Sequence, residues 1–282
     1  MMDNYMTENT SQRSDNTCAH AKIVIKGAGE MASGIAHRLY MANLKNIIML
    51  EIERPITVRR LVAFSEAVYE KIWTVEAVTA ELLGSIDDIE DIWARGRVGV
   101  IVDPRWNIIE ALKPHIVIDA IMAKKNIGTK KDEAPVVIGV GPGFIAPDGC
   151  HAVVESNRGH NLGRVFYNGS AEPHTGVPGP VMGLTSERVL RSSSAGFVRH
   201  VKKLGDEVKK GNIVMYVNDM PIVAPIDGVL RGLIREIYVE RNEKIGDIDP
   251  RGKKEYCFTI SEKARAIAGG VLEAVMHFIG NI

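Results

Sequence analysis

The stretch Ile23-Val24-Ile25, followed by Gly27-Ala28-Gly29-Glu30-Met31-Ala32, decides how the start of this chain is read. Three β-branched residues in a row predict a buried strand. Residues 31 to 42 then repeat apolar side chains at helical spacing, with Ile35, Leu39 and Ala42 on one side. Strand, glycine turn and helix is the context in which a G-x-G-x-x-[GA] match points to a dinucleotide. Gly27 permits the tight turn, and Gly29 lets backbone amides approach a pyrophosphate without a Cβ in the way. Ala32, with Gly34 behind it, allows close helix–strand packing. The pyrophosphate would sit on the open N–H groups at the helix N-terminus, around Glu30 and Met31. The same residues also suit a strand-to-helix turn that binds nothing.

Working outward, Ile47-Ile48-Met49-Leu50 is a second strand and runs into Glu51-Ile52-Glu53-Arg54. An acid about 20 residues beyond the glycines is where a ribose hydroxyl is bonded. Glu51 is favoured, Glu53 is the fallback, and Arg54 keeps a 2′-phosphate open, so NAD and NADP are not distinguished. An ordinary surface Glu and Arg is the plainer reading. Residues 57 to 95 read as a long helical stretch through Val68, Ile72, Val75 and Val78. Strands follow at 98–102, 115–119 and 136–140. Short apolar runs alternating with helices predict an α/β fold, a Rossmann-like doubly wound parallel sheet. Ligands in such folds lie outside the carboxyl ends of the strands. That gathers Gly27, Gly29, Glu51, Asp103 to Arg105, Asp119, Gly141 and Gly143, with Lys124 and Lys125 close behind. The two lysines would meet a phosphate or simply be solvated.

Residues 151 to 185 change character, with two strands joined by Ser156-Asn157-Arg158-Gly159-His160-Asn161. That loop would hold an anion through Arg158, Gly159 and His160, or be a polar hairpin loop. Residues 172 to 180 are rich in turn formers and read as a connector or active-site loop. The expected organisation is a disordered tail over 1–20, a nucleotide-binding domain with a β extension over 21–185, an all-β domain over 186–260 and a helix over 261–282. The all-β part looks like the small barrel-sandwich of biotinyl and lipoyl carriers. Its corresponding hairpin, Tyr216-Val217-Asn218-Asp219-Met220-Pro221-Ile222, has no lysine, so no cofactor amide link can form there. A structural or partner-docking role remains for it. The last helix carries Ile267, Ala268, Val271 and Val275 at i, i+3, i+4 spacing, and its Gly269-Gly270 pair makes it depend on a packing surface.

Lys+Arg and Asp+Glu each total 35, so no net field draws the chain to nucleic acid or anionic lipid. No stretch approaches the ~20 consecutive apolar residues of a membrane span, and the first 20 residues lack the apolar core of a secretory signal. Cys18, Cys150 and Cys257 are far apart and odd in number, which fits reduced thiols in a cytoplasmic protein. Cys150, His151, Glu155 and His160 are the one cluster with metal-ligand residue types, and their spacing matches no closed zinc pattern. No G-x-S-x-G elbow, P-loop lysine or H-E-x-x-H helix is present. Asp103, Asp119 and Lys124 have the chemistry for acid–base work but no sequence-level geometry.

Six elements in order carry a family resemblance: Lys26 to Gly34, Val62 to Val68, Asp119 to Asn126, Gly141 to Phe144, Glu155 to Gly163 and Lys244 to Arg251. Together they resemble the YqeB-like family of selenium-dependent molybdenum hydroxylase maturation proteins, from about residue 22 onward. The polar tail before Lys22 and Cys150, where an apolar residue is common, stand outside that pattern. The resemblance implies an accessory factor for a molybdenum hydroxylase client, binding a nucleotide or dinucleotide such as the molybdopterin dinucleotide, with no catalytic residue carried over. The alternative is an NAD(P)-dependent oxidoreductase on a small substrate, with Lys124 or His160 as acid or base. A third reading is a module that binds a nucleotide without turnover.

Overall fold

The computed structural model describes residues 20–281, so the tail expected over 1–20 lies, apart from His20, outside the described residues. β1 (Ile23–Lys26) turns at Gly27 into α1 (Glu30–Met41) and β2 (Ile47–Glu51). There follow α2 (Ala67–Glu70), β3 (Ile72–Val75), β4 (Val78–Leu82), α3 (Ile89–Ala94), β5 (Val98–Val102), α4 (Ile108–Leu112) and β6 (Ile116–Asp119). β7 (Val136–Val140), β8 (Ala152–Val154) and β9 (Val165–Phe166) complete a nine-stranded sheet in the order β3-β4-β5-β2-β1-β6-β7-β8-β9. The strands from β4 through β8 in that order run parallel, while β3 and β9 border them antiparallel.

This mixed sheet corrects the expected Rossmann-like doubly wound one. Parallel neighbours in a wound sheet are joined by crossovers that are usually helical. Here the β6–β7 connection holds only a 3-10 turn, and the β7–β8 connection holds no helix at all. The long helical stretch expected over 57–95 is broken, with β3 and β4 standing between the short helices α2 and α3. Val68, Ile72, Val75 and Val78 mimic helical spacing, but Lys71, Glu76 and Ala77 take φ of 69°, 42° and 70°. Lys71 ends α2, and Glu76-Ala77 turns β3 back onto β4 as a two-residue hairpin.

The later segment is all-β: β10 (Val189–Arg191), β11 (Gly196–His200), β12 (Glu207–Val208), β13 (Ile213–Val217), β14 (Met220–Val223), β15 (Gly228–Leu233), β16 (Tyr238–Val239) and β17 (Lys244–Asp249). They form two four-stranded sheets, β10-β17-β15-β12 and β14-β13-β11-β16, around Leu190, Val214, Leu230 and Ile248. This pair of antiparallel sheets replaces the barrel-sandwich expected from the carrier likeness. At the β13–β14 turn Asn218 accepts the Phe197 amide through Oδ1 at 2.9 Å, which ties the hairpin tip to β11.

α5 (Glu262–Phe278) starts at Ser261, whose hydroxyl accepts the Ala264 amide at 3.3 Å. It shares one core with α1 and the sheet face that carries Ile23, Ile25, Ile116 and Ile138. The crossing explains two glycines. A Cβ on Gly34 would stand 2.9 Å from Ala264 Cβ, so Gly34 serves the α1–α5 contact rather than packing on β1. A Cβ on Gly270 would stand 2.1 Å from the Gly163 carbonyl, so this glycine admits the 156–163 loop against α5. The opposite sheet face, with Val24, Ile48 and Val117, is covered by Ile92, Trp93 and Ile109 of α3 and α4. No helix among the described residues is long and apolar enough to cross a membrane.

Candidate functional site

Two adjoining cavities open at the carboxyl ends of the parallel strands. The first, of about 500 Å³, is lined by Gly27, Gly29, Glu51, Asp103, Trp106 and Met122 among others. Gly27 has φ 91°, and a Cβ there would press on Ala120 O and Ile121 Cα at 3.3 Å, so the turn itself requires glycine. Gly29 differs. Its φ is −69°, and a Cβ would meet nothing nearer than Thr57 Oγ1 at 3.9 Å. The fold does not need glycine at this position, and the space beside its Cα is open. Gly29 also caps α1 without a side-chain hydrogen bond, which leaves the first-turn amides around Glu30 and Met31 open.

Glu51 closes the turn from below. Its carboxylate accepts the Ala28 amide at 2.9 Å and the Ile52 amide at 2.8 Å. Burial pushes its pKa above the usual carboxylate value, with the Ile52 and Ala28 amides opposing. Each oxygen keeps a further lone pair for a ligand hydroxyl. Glu53, the fallback, is exposed. The other acids at the strand ends are committed to structure. Asp103 accepts the Ile108 amide at 2.8 Å at the start of α4. Asp119 accepts the Thr129 hydroxyl at 2.6 Å and the Ile121 amide at 3.2 Å.

Lys26, which opens the Lys26 to Gly34 element but has no role assigned there from sequence, is fully buried at the end of β1. It donates to Thr129 Oγ1 and Glu133 Oε2, both at 2.7 Å, and lies 3.6 Å from the Trp106 ring centroid. Burial lowers its pKa, opposed by Glu133 and Asp119. The Lys26–Thr129–Asp119 chain fixes the loop after β6 and, through Trp106, one wall of the first cavity.

The second cavity, of about 360 Å³, shares Glu30, Met31, Arg59, Met122 and Lys244 with the first. It is lined by eight basic side chains against three carboxylates. The 172–180 segment, read from sequence as a connector or active-site loop, supplies much of its wall. Arg59 is 5 % exposed, donates from Nη2 to the Thr259 carbonyl at 3.0 Å, and has Glu30 at 3.9 Å from Nε. Its Nε and Nη1 are buried with no hydrogen-bond partner among the described residues, as is Nε of Arg188. For Glu30, burial is outweighed by Arg59, Arg231, Ser261 and Lys244, which together hold its carboxyl below the usual range.

The sequence-predicted residues divide between these cavities and the packing around them. Gly27, Gly29, Glu30, Met31 and Glu51 come together at the first cavity, while Lys124 lines only the second. Gly141 and Gly143 line neither. A Cβ on them would strike Ser156 Oγ at 2.6 Å and the Asn126 amide at 2.4 Å, so they serve packing between loops. The Arg158-Gly159-His160 loop does not act as a unit: Arg158 lines the second cavity, while Gly159 and His160 are exposed outside it. Arg158 itself bonds the Pro180 carbonyl at 3.1 Å and Glu262 at 2.6 Å.

Three of the four metal-type residues are held in backbone contacts, while the fourth, His160, is exposed. Cys150 donates to the Ala152 carbonyl at 3.3 Å, His151 Nδ1 accepts the Val137 amide at 2.9 Å, and Glu155 holds the Asn157 and Glu172 amides. No group of three His, Cys, Asp or Glu among the described residues is placed to hold a metal ion.

No family model matches the chain. It is 50% identical over 258 residues to the uncharacterized protein YqeB of Escherichia coli K12. That alignment covers 91% of this chain and 48% of YqeB, so the chain spans about half the length of the curated relative it matches. The identity supports the YqeB-like resemblance. Among solved structures, an aspartoacylase family protein from Mesorhizobium loti is 14% identical, covering 81% of this chain and 84% of that one, with a TM-score of 0.26. The ectoine utilization protein EutE (DoeB) of Ruegeria pomeroyi is 10% identical with the same coverages and a TM-score of 0.25. Likenesses at these TM-scores carry no argument about fold or function.

Proposed function

We propose that this chain is a nucleotide-binding accessory protein in the maturation of selenium-dependent molybdenum hydroxylases. The observation that carries nucleotide binding is the open space over Gly29, beside the Glu51 carboxylate and the uncapped first turn of α1. These groups fit a nucleotide: α1 amides for the phosphates, Glu51 for a ribose hydroxyl, and the wall from Trp106 to Met122 for the base. A molybdopterin dinucleotide bound there would supply the cofactor the client needs, and this chain's part is to bind and orient it. The maturation role rests on the family resemblance that the six ordered motifs carry.

Calorimetry against pyridine dinucleotides, nucleoside diphosphates and the molybdopterin dinucleotide tests the binding. One saturable ligand is expected, and none across the panel overturns the reading. Deleting the gene should abolish selenium-dependent hydroxylase activity while the client apoprotein persists. Normal activity in the deletion strain would remove the maturation role.

A further inference from the structure

The second cavity carries more positive charge than the pyrophosphate of one nucleotide neutralises. Of its eight basic residues, Arg158 and Arg231 pair with Glu262 and Asp249 beyond the wall, but Lys124, Lys244 and Lys263 have no carboxylate within 4 Å among the described residues. Arg59 and Arg188 are 5 % and 8 % exposed, and both keep buried N–H groups without acceptors. A buried guanidinium nitrogen left unpaired is costly, and buried polar groups in native proteins are nearly always satisfied. Arg188 pairs with Asp247 and donates to the Gly179 carbonyl, yet its Nε remains over. The N-terminus of α5 adds its open first turn at Ser261 to Lys263, on the same cavity wall.

We propose that this cationic chamber is a second ligand site, which takes a small molecule bearing a phosphate-like dianion alongside the nucleotide. The dianion is either a free inorganic oxyanion or the phosphoryl group of a small metabolite. Arg59, shared by both cavities, lies between the two ligands, while Lys124, Arg188 and Lys263 belong to the second alone. Lys263 is well suited to this task. Burial, then the Arg158 charge, lowers its pKa against the pull of Glu30, with Lys244 lowering it further and Glu155 opposing. An arriving dianion relieves that repulsion. The proposal extends the nucleotide reading, whose site adjoins this one, but its outcome is read separately.

The test is calorimetric titration of the full chain with inorganic phosphate and, separately, glycerol phosphate, with and without the nucleotide that binds best. Saturable one-to-one binding of either is expected, and the tighter of the two identifies the source of the dianion. Lys263→Gln and Lys124→Gln, each checked for an unchanged melting curve, should weaken it by about tenfold or more. Both variants should leave nucleotide affinity unchanged. Absence of binding by both probes, equal affinity in the variants, or displacement of the probe by nucleotide would each overturn the proposal. Phosphate binding in a chain that binds no nucleotide would leave this site standing and sink the nucleotide reading.

Discussion

Two neighbouring glycines in α5 should respond to the same substitution with opposite signs. In an exposed helix interior, Gly→Ala gains about 1 kcal/mol, because alanine loses less backbone freedom on folding. At Gly269 a Cβ would meet nothing within 4 Å, so Gly269→Ala should realise most of that gain. At Gly270 it would stand 2.1 Å from the Gly163 carbonyl and 2.9 Å from Val154 Cγ1. Neither side can readily give way. Gly163 is itself held at φ 82°, with its own Cβ direction 2.5 Å from the Ala266 carbonyl. Overpacking of this kind costs roughly 1–3 kcal/mol, and the upper end applies where backbone meets backbone. The net expectation for Gly270→Ala is a loss of about 2 kcal/mol. Urea unfolding followed by far-UV circular dichroism reads both, as midpoint shifts in opposite directions at constant slope. A stabilised Gly270→Ala would refute the argument, since it would mean that α5 is free to stand away from the 156–163 loop.

Other expectations follow from individual contacts. Burial pushes the Cys150 thiol up to about 11 and raises that of Cys257 as well. Iodoacetamide at pH 8 should therefore leave both unmodified in the native protein and label both in denaturant, as read by peptide mass spectrometry. Arg235 bonds the buried Glu66 carboxylate at 2.6 Å. Arg235→Met should cost roughly 3 kcal/mol in chemical unfolding, because the buried carboxylate is left with only Arg60, at 3.6 Å. Glu76 accepts the Ile260 amide at 2.6 Å and pairs with Arg265. Burial is outweighed there by these two partners and by His37, so the folded pKa lies below the ordinary carboxylate value. Its contribution is then complete above that ordinary value and is lost as pH falls through the folded one. Glu76→Gln should be less stable than the parent by about 1 kcal/mol at pH 7, with the gap closing in acid melts.

The start of the fold was legible because its signals are local. Ile23 to Ile25, the positive-φ Gly27 and the amphipathic run through Ile35 and Leu39 give β1, the turn and α1 where the sequence places them. The hairpin between α2 and α3 was not. Its turn residues, Glu76 and Ala77, adopt left-handed conformations that neither favours, while the flanking valines fall by coincidence at helical spacing. Winding of the sheet was over-read for a related reason. Apolar runs locate strands, but nothing in residues 120–135 or 141–151 shows that their connections lack helices.

The glycine cavity was readable from one contiguous motif plus Glu51. The cationic chamber draws Arg59, Arg188, Arg231, Lys244 and Lys263 from separate segments, and only the folded chain brings them together. Lys244 lay inside a motif already singled out. Arg59 was hidden within the stretch misread as a helix.

On the proposed function, Gly29 is glycine for a ligand's sake. Gly29→Ser tests it most directly, since serine is a good N-cap residue and its Cβ has room in the fold. Calorimetry with the nucleotide that the wild-type chain binds should show an unchanged or raised melting temperature together with at least a ~tenfold loss of affinity. Full affinity in a well-folded Gly29→Ser chain would contradict the account.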